Sequence, residues 1–144
     1  MSIYLKVADA RGGDAELIRT FNAKWPDAFL ELEPRHLRLG YWWIAWFGEM
    51  PVGFCGMVPF TPFPFTGYLK RAGVIDSFRG QGLHMDMIAE RENKARSIGW
   101  HRMVSECEAA NVASANSHID AGYRLFTPER PWATTPSLYW VKDL

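Results

Sequence analysis

The sequence predicts a mixed α/β fold, and three observations carry that prediction. Runs that alternate apolar and polar residues interleave with runs whose apolar residues recur at helical spacing. The breaks between them hold glycine, proline or asparagine, the residues that turn a chain. At residues 74–84 a β-type run stops at the glycine-rich turn Arg79-Gly80-Gln81-Gly82, and a long helical pattern starts there. At 144 residues the chain is expected to fold as one domain over 1–144, with roughly two thirds of its unfolded surface buried.

Residues 3–7 alternate as a half-buried strand does, and Gly12-Gly13 ends the run ahead of Asp14, the expected N-cap of a helix over 15–22. Trp25-Pro26 interrupts the pattern. Residues 29–39 read as a second helix, with Phe29, Leu30 and Leu37 inside and Glu31, Glu33, Arg35 and Arg38 outside, although Pro34 falls within it. Residues 41–47 are dense in aromatic and β-branched side chains, Gly48-Glu49 supplies a turn, and 52–60 is apolar throughout, which predicts a core β-hairpin. Trp42, Trp43 and Trp46 belong to its core or line a pocket, because no basic residues interleave with them as a base-stacking platform would need. Residues 61–67 are too rich in proline for a strand interior and are expected to loop, with Phe63 and Phe65 lining a pocket or plugging the core.

Residues 68–75 read as the strand that enters the glycine turn. Over 83–98, Leu83, Met87, Ile88, Ala95 and Ile98 share a helical arc that Gly99 stops. Asp86, Glu90, Asn93, Lys94 and Ser97 take the wet side, and His84 and Arg91 are expected toward the arc. Residues 102–108 set Met103, Ser105 and Cys107 against Val104, Glu106 and Glu108, a strand with carboxylates on one face. Asn111 heads a small-residue helix to Ala121, Gly122 closes it, 123–126 is a strand, 128–136 a loop carrying Trp132, and 137–142 the closing strand.

Composition excludes several function classes. Sixteen basic and sixteen acidic residues cancel, leaving no broad electropositive face, so nucleic acid is not an expected partner. No apolar run approaches the ~20 residues of a membrane span, and residues 1–9 lack a signal-type apolar region, so the expectation is a cytoplasmic protein with no membrane partner. Cys55 and Cys107 sit in apolar strand-like runs and are expected to be buried free thiols, with a disulfide or a thiol nucleophile as the alternatives. Four histidines and two cysteines without paired spacing predict no metal site.

The glycine turn reads as an anion cradle. Gly80 and Gly82 lack Cβ, so the backbone can take strained angles and approach a ligand closely, while amides in the first turn of the next helix point outward. It is no Walker A loop, since no Gly-Lys-Ser/Thr ends it, and Gly80-x-Gly82-x-x-Met85 lacks the third glycine of a dinucleotide fingerprint. A plain strand-to-helix connection is the alternative reading.

Arg79-Gly80-Gln81-Gly82-Leu83-His84 resembles the Arg/Gln-x-x-Gly-x-Gly/Ala segment of the GCN5-related N-acetyltransferase (GNAT) family, which binds the pyrophosphate of acetyl-coenzyme A. Asn111-x-x-Ser114 followed by Gly122-Tyr123 resembles the family's Asn-x-x-Ala/Ser helix that closes in Gly-Phe/Tyr, at the usual distance from the glycine turn. His84 departs from the family, where Gly or Ala is usual. The resemblance implies a largely antiparallel central sheet flanked by helices, and acetyl-CoA as cosubstrate without a metal. Val74, Ile75, Arg79, Gly80, Gln81, Gly82, Leu83, His84 and Asn111 are the implied coenzyme-binding residues, with N-capping as the alternative role of Asn111. It also implies that the strands over 68–75 and 102–108 splay apart for the pantetheine arm.

In that family a primary amine of a small molecule or protein attacks the thioester directly in a ternary complex. A protonated amine cannot attack, so a base is needed, and the departing thiolate needs an acid. Glu106 is the implied base, with Glu108 behind it and a surface pairing of Glu106 with Arg102 or Lys70 as the bland reading. His118 stands four residues before Gly122, where the family keeps its acid, with Tyr123 as a substitute. The competing expectations are a non-catalytic acyl-CoA-binding module and an interaction protein exposing Trp and Phe. A monomer or homodimer fits any of these.

Overall fold

Twelve short segments of regular structure account for most of residues 2–144, which the computed structural model describes. In chain order they are β1 (Ile3–Val7), α1 (Ala15–Asn22), α2 (Pro34–Leu39), β2 (Tyr41–Phe47), β3 (Met50–Pro59), β4 (Thr66–Val74), a 3₁₀ turn at Asp76–Phe78, α3 (Leu83–Ser97), β5 (Arg102–Glu108), α4 (Val112–Asp120), β6 (Arg124–Leu125) and β7 (Ser137–Asp143). The strands make one seven-stranded sheet of order β1-β2-β3-β4-β5-β7-β6, in which β1–β2, β2–β3, β5–β7 and β6–β7 pair antiparallel and β4–β5 pair parallel. The fold is thus the mixed, mostly antiparallel α/β arrangement that the sequence predicts. The chain divides into two compact units, the first running up to Val58 and adding Lys70–Met87, the second made of Pro59–Leu69 and Ile88–Leu144.

In the first unit, β1, β2 and β3 run antiparallel, and β2 and β3 are joined at Gly48-Glu49 with Phe47 opposite Met50. Gly48 takes the left-handed φ of 61° that such a two-residue turn requires. Phe54 is the centre of the core. It is fully buried and stacks on Phe21 at 5.7 Å, Trp25 at 6.3 Å and Trp42 at 6.3 Å, with Phe29 edge-on at 6.0 Å. Such pairs add about 0.5–1.5 kcal/mol each beyond burial, which explains why a hairpin so rich in Trp and Phe is inside rather than wet.

One expectation for this unit is corrected. The second helix starts at Pro34, not at 29, because proline's fixed φ and missing N–H suit a helix's first turn and break its interior. Glu33 and His36 close that start reciprocally as a capping box. Leu30 therefore lies outside the helix and is 81% exposed, whereas Leu37 is buried and Phe29 packs against the core. Asp14 is the N-cap residue of α1, as expected, but its side chain makes no capping hydrogen bond; Oδ2 accepts from the Asp9 N–H at 2.7 Å.

In the second unit β5 pairs antiparallel with β7 along its whole length, from Arg102 opposite Asp143 to Glu108 opposite Ser137. Among the described residues its parallel ladder with β4 joins Thr66, Gly67 and Tyr68 to Arg102, Met103 and Val104, and ends there although β4 continues to Val74. Thr66 and Gly67 are in the strand, not in the proline-rich loop expected to include them. The two loop phenylalanines plug no core, since Phe63 is 38% and Phe65 63% exposed. Both cysteines are buried free thiols. No described helix is long and apolar enough to cross a membrane.

Candidate active site

The glycine turn lies within the first unit. Val74 ends β4 buried, and Ile75 donates its N–H to Val52 O at 2.9 Å, which fixes where the strand gives way to the 3₁₀ turn. Arg79 folds back over that turn. Its Nε donates to Val74 O at 3.0 Å and its Nη1 lies 3.1 Å from Asp76 Oδ1, so the guanidinium braces the segment from strand end to loop. Gly80 and Gly82 then adopt φ of +75° and +78°, which L side chains rarely take, and no atom lies within 4 Å of where a Cβ would stand at either. Asp86 N–H donates to Gly82 O at 3.1 Å, closing the first turn of α3, so the amides of Gly82 and Leu83 precede its intrahelical bonds. Left-handed glycines over open space at a helix start are what a diphosphate's oxygens require, and acetyl-CoA fits these residues.

Gln81 and His84 are exposed here, while Leu83 is buried and anchors the helix. His84 was expected on the apolar arc of α3, but the arc is taken by Leu83, Met87, Ile88 and Ala95, and the imidazole is on the wet side. Arg91 does turn inward and is 3% exposed.

The remaining expected site residues stand in the second unit, where β5 sorts them by face. Strand pleating puts Val104 and Glu106 on one face and Met103, Ser105 and Cys107 on the other. Glu106 is half-buried opposite Tyr139 of β7. Asn111 caps α4, its Oδ1 accepting from Ser114 N–H at 3.1 Å, and its side of the helix is exposed. Arg102 is paired with Asp143 at 3.3 Å.

His118 is buried on the Ser105 face. Its ring stacks on Trp140 at 5.2 Å and meets Tyr123 edge-on at 5.5 Å, with Nδ1 2.7 Å from Ser114 O and Nε2 2.8 Å from Ser105 Oγ. A carbonyl oxygen only accepts, so Nδ1 carries the proton and Nε2 accepts from the Ser105 hydroxyl. Burial holds this imidazole below its ordinary range, the Ser114 hydrogen bond pulls the other way, and the Arg91 charge lowers it further. Tyr123, the substitute acid, donates its hydroxyl to Glu92 Oε2 at 2.8 Å, and burial followed by the Glu92 charge raises it far above the usual phenol range. Lys142 Nζ completes this group, 2.9 Å from Glu92 Oε1 and 2.7 Å from Ala121 O. Ser105, Glu92, Trp140 and Lys142 had no signal in the sequence, since each meets its partner across 13 to 50 residues of chain.

The glycine turn and the Asn111 helix are the two features that resemble acetyl-transferring proteins of the GNAT class, and the family comparison agrees. The family model described as "Acetyltransferase (GNAT) family" matches residues 14–123, and the chain belongs to that family. Many solved structures share the fold, three of which serve as examples. An IAA acetyltransferase from Bacillus cereus is 12% identical with a TM-score of 0.77, covering 99% of this chain and 100% of its own. A GNAT family acetyltransferase from Elizabethkingia anophelis with acetyl-CoA bound is 16% identical with a TM-score of 0.71, covering 99% and 98%. A ribosomal-protein-alanine N-acetyltransferase from Brucella melitensis is 20% identical with a TM-score of 0.75, covering 100% of both chains. No curated protein matches by sequence.

Proposed function

We propose that the protein is an N-acetyltransferase that moves an acetyl group from acetyl-CoA to a primary amine by direct attack in a ternary complex. The observation that carries this is the pair of left-handed glycines over open space at the start of α3 in a chain of the GNAT family. Acetyl-CoA supplies the activated thioester. Gly80, Gln81, Gly82 and Leu83 receive its diphosphate through backbone amides, with Arg79 holding the loop's shape and Val74 and Ile75 setting the strand end from which it springs. Asn111 is assigned to the coenzyme by family position and caps its helix as well.

Glu106 takes the proton of the incoming ammonium, directly or through a water, because a carboxylate is the group on this strand face able to hold it. The geometry around His118 supports a positioning role over proton donation, since its Nε2 is an acceptor for Ser105 as arranged; the thiolate then takes its proton from solvent. Coenzyme-dependent thiol release with a panel of amines, measured beside coenzyme binding, tests the proposal. Turnover abolished by Glu106→Gln with binding retained is the expected result. Tight coenzyme binding with no amine ever acetylated would favour the acyl-CoA-binding module instead, a reading that the engaged state of both acid candidates, His118 and Tyr123, favours.

A further inference from the structure

Resting on the acetyl-transfer reading, we propose that the acceptor is an arylalkylamine, a single primary amine on a flat apolar body, seated on an aromatic cluster beside Glu106. The cluster lies wholly in the second unit. Tyr68 is the ladder partner of Val104 and Tyr139 that of Glu106, so both tyrosines share the Glu106 face of the sheet. Trp132, from the loop before β7, lies edge-on to Tyr139 at 4.5 Å and to Tyr68 at 6.0 Å, and 5.4 Å from Phe60, which stacks on Tyr68 at 6.0 Å. The loop is pinned there: Trp132 Nε1 donates to Tyr68 Oη at 3.4 Å and Ala133 N–H to Tyr139 Oη at 3.1 Å.

These rings are held in place yet not buried. Trp132 is 37% exposed, and Phe60, Tyr68 and Tyr139 are half-buried. Scattered exposed apolar residues need no explanation, but a contiguous set of four aromatic rings, two hydrogen bonds pinning its loop, left partly wet forgoes burial that a ligand could restore. The charge pattern selects the ligand. Glu106 offers an anion to an ammonium arriving over ring faces that themselves favour cations. Four residues away on the same strand face, Arg102 packs over Phe63 at 5.6 Å and is ion-paired with Asp143 at 3.3 Å, so its charge is already compensated. A monoamine on an aromatic body suits a carboxylate beside these rings; a polyamine has no flat apolar body to lay on them.

The test uses the full-length protein with acetyl-CoA and three probes: 2-phenylethylamine, ethylamine and spermidine. Initial rates follow thiol release, and saturation-transfer NMR reports 2-phenylethylamine binding in the presence of coenzyme A. The proposal expects kcat/KM for 2-phenylethylamine at least tenfold above both other amines. In Trp132→Ala that preference over ethylamine should shrink about tenfold with coenzyme affinity unchanged, and Trp132→Phe should keep most of it. Equal or better use of ethylamine or spermidine overturns the proposal, as does a Trp132→Ala variant whose selectivity is that of the parent. If no amine is acetylated but 2-phenylethylamine still binds in a Trp132-dependent way, acetyl transfer fails and the site stands. If small polar amines are acetylated while 2-phenylethylamine neither binds nor reacts, the site fails and acetyl transfer stands.

Discussion

Gly82→Ala and Gly99→Ala form a matched pair that separates backbone strain from ligand contact. Gly82 has φ +78° and Gly99 φ +84°, and neither has an atom within 4 Å of its would-be Cβ. Alanine at either position costs about 1–2 kcal/mol of left-handed strain, partly offset by the lower entropy of its unfolded chain. At roughly 2.1 cal/mol/K per residue over 144 residues the unfolding entropy is ~0.3 kcal/mol/K, so a net cost of about 0.5–1.5 kcal/mol lowers Tm by about 2–5 °C in each variant. Gly99 stops α3 at its far end, whereas Gly82 opens it beneath the proposed diphosphate. In the parent, acetyl-CoA at one hundred times its Kd adds about 2.7 kcal/mol, or ~9 °C. An added methyl at residue 82 stands where diphosphate oxygens need to lie. A tenfold weaker Kd at the same ligand concentration leaves about 1.4 kcal/mol, so the shift should fall to ~5 °C or less, while Gly99→Ala keeps the full shift. Thermal scans with and without acetyl-CoA decide it. A Gly82→Ala protein that keeps the parent's shift places the coenzyme elsewhere, and an equal loss in Gly99→Ala shows that the shift tracks stability and not contact.

Three further outcomes follow from particular contacts. Arg71 sits in β4 at φ +68° with Nε on Asn22 Oδ1 at 2.9 Å and Nη2 on Leu30 O at 3.0 Å, so Arg71→Gly should be more stable than Arg71→Ala by about 1 kcal/mol, the reverse of the usual strand preference; chemical denaturation showing Ala equal or better would refute the strain. His36 is held down to about 4 by burial, then by the charges of Lys70 and Arg35, and its Nδ1 accepts from Glu33 N–H at 3.2 Å. Its folded value lies below the unfolded one, so the unfolded chain binds the extra proton and stability is lost as pH falls from about 6.5 toward 4; His36→Gln should flatten that part of a Tm against pH curve, and an unchanged slope would assign it to other groups. His118→Phe strands the buried Ser105 hydroxyl and should cost about 1–3 kcal/mol with coenzyme affinity intact. Assayed where it is folded, that variant should keep kcat within about tenfold of the parent; a fall of ~10² to 10⁴, partly restored by Tyr, would make His118 the acid after all.

Where the sequence was easiest to read, side-chain period and backbone agree. The strands over 3–7 and 102–108 alternate, the helix over 15–22 follows a glycine break, the strand over 41–47 is dense in aromatic and β-branched residues, and all four have those bounds in the structure. The region over 29–39 was misread because Leu30 and Leu37 are seven apart, a helical spacing, yet Pro34 between them begins the helix rather than riding inside it. Spacing counts residues, and it is blind to which of them are already outside the element. The start of β4 was missed for a related reason: a proline-rich loop ends at Pro64, and Thr66 pairs with Arg102 36 residues on, a partner that no local pattern reveals.

The candidate site divides along the same line. Glycines announce the coenzyme loop because left-handed backbone is a local demand, legible wherever Gly80-x-Gly82 meets a helix start. The burial of His118 is not local. On α4 the polar His118 is 6% exposed while its neighbour Ile119 is 58% exposed and Val112 65%, the opposite of what hydropathy would assign. The helix phase is set by Asn111 at its cap and by a ring that stacks on Trp140 and bonds Ser105, contacts worth more than the burial of one isoleucine when the alternative is an unpartnered hydroxyl in the interior. Amphipathic reading prices each side chain alone, whereas here a polar pair is buried as a unit. The aromatic cluster is the converse case: Phe60, Tyr68, Trp132 and Tyr139 look like core in composition, and only the fold shows that they meet, partly exposed, on the face of the sheet that carries Glu106.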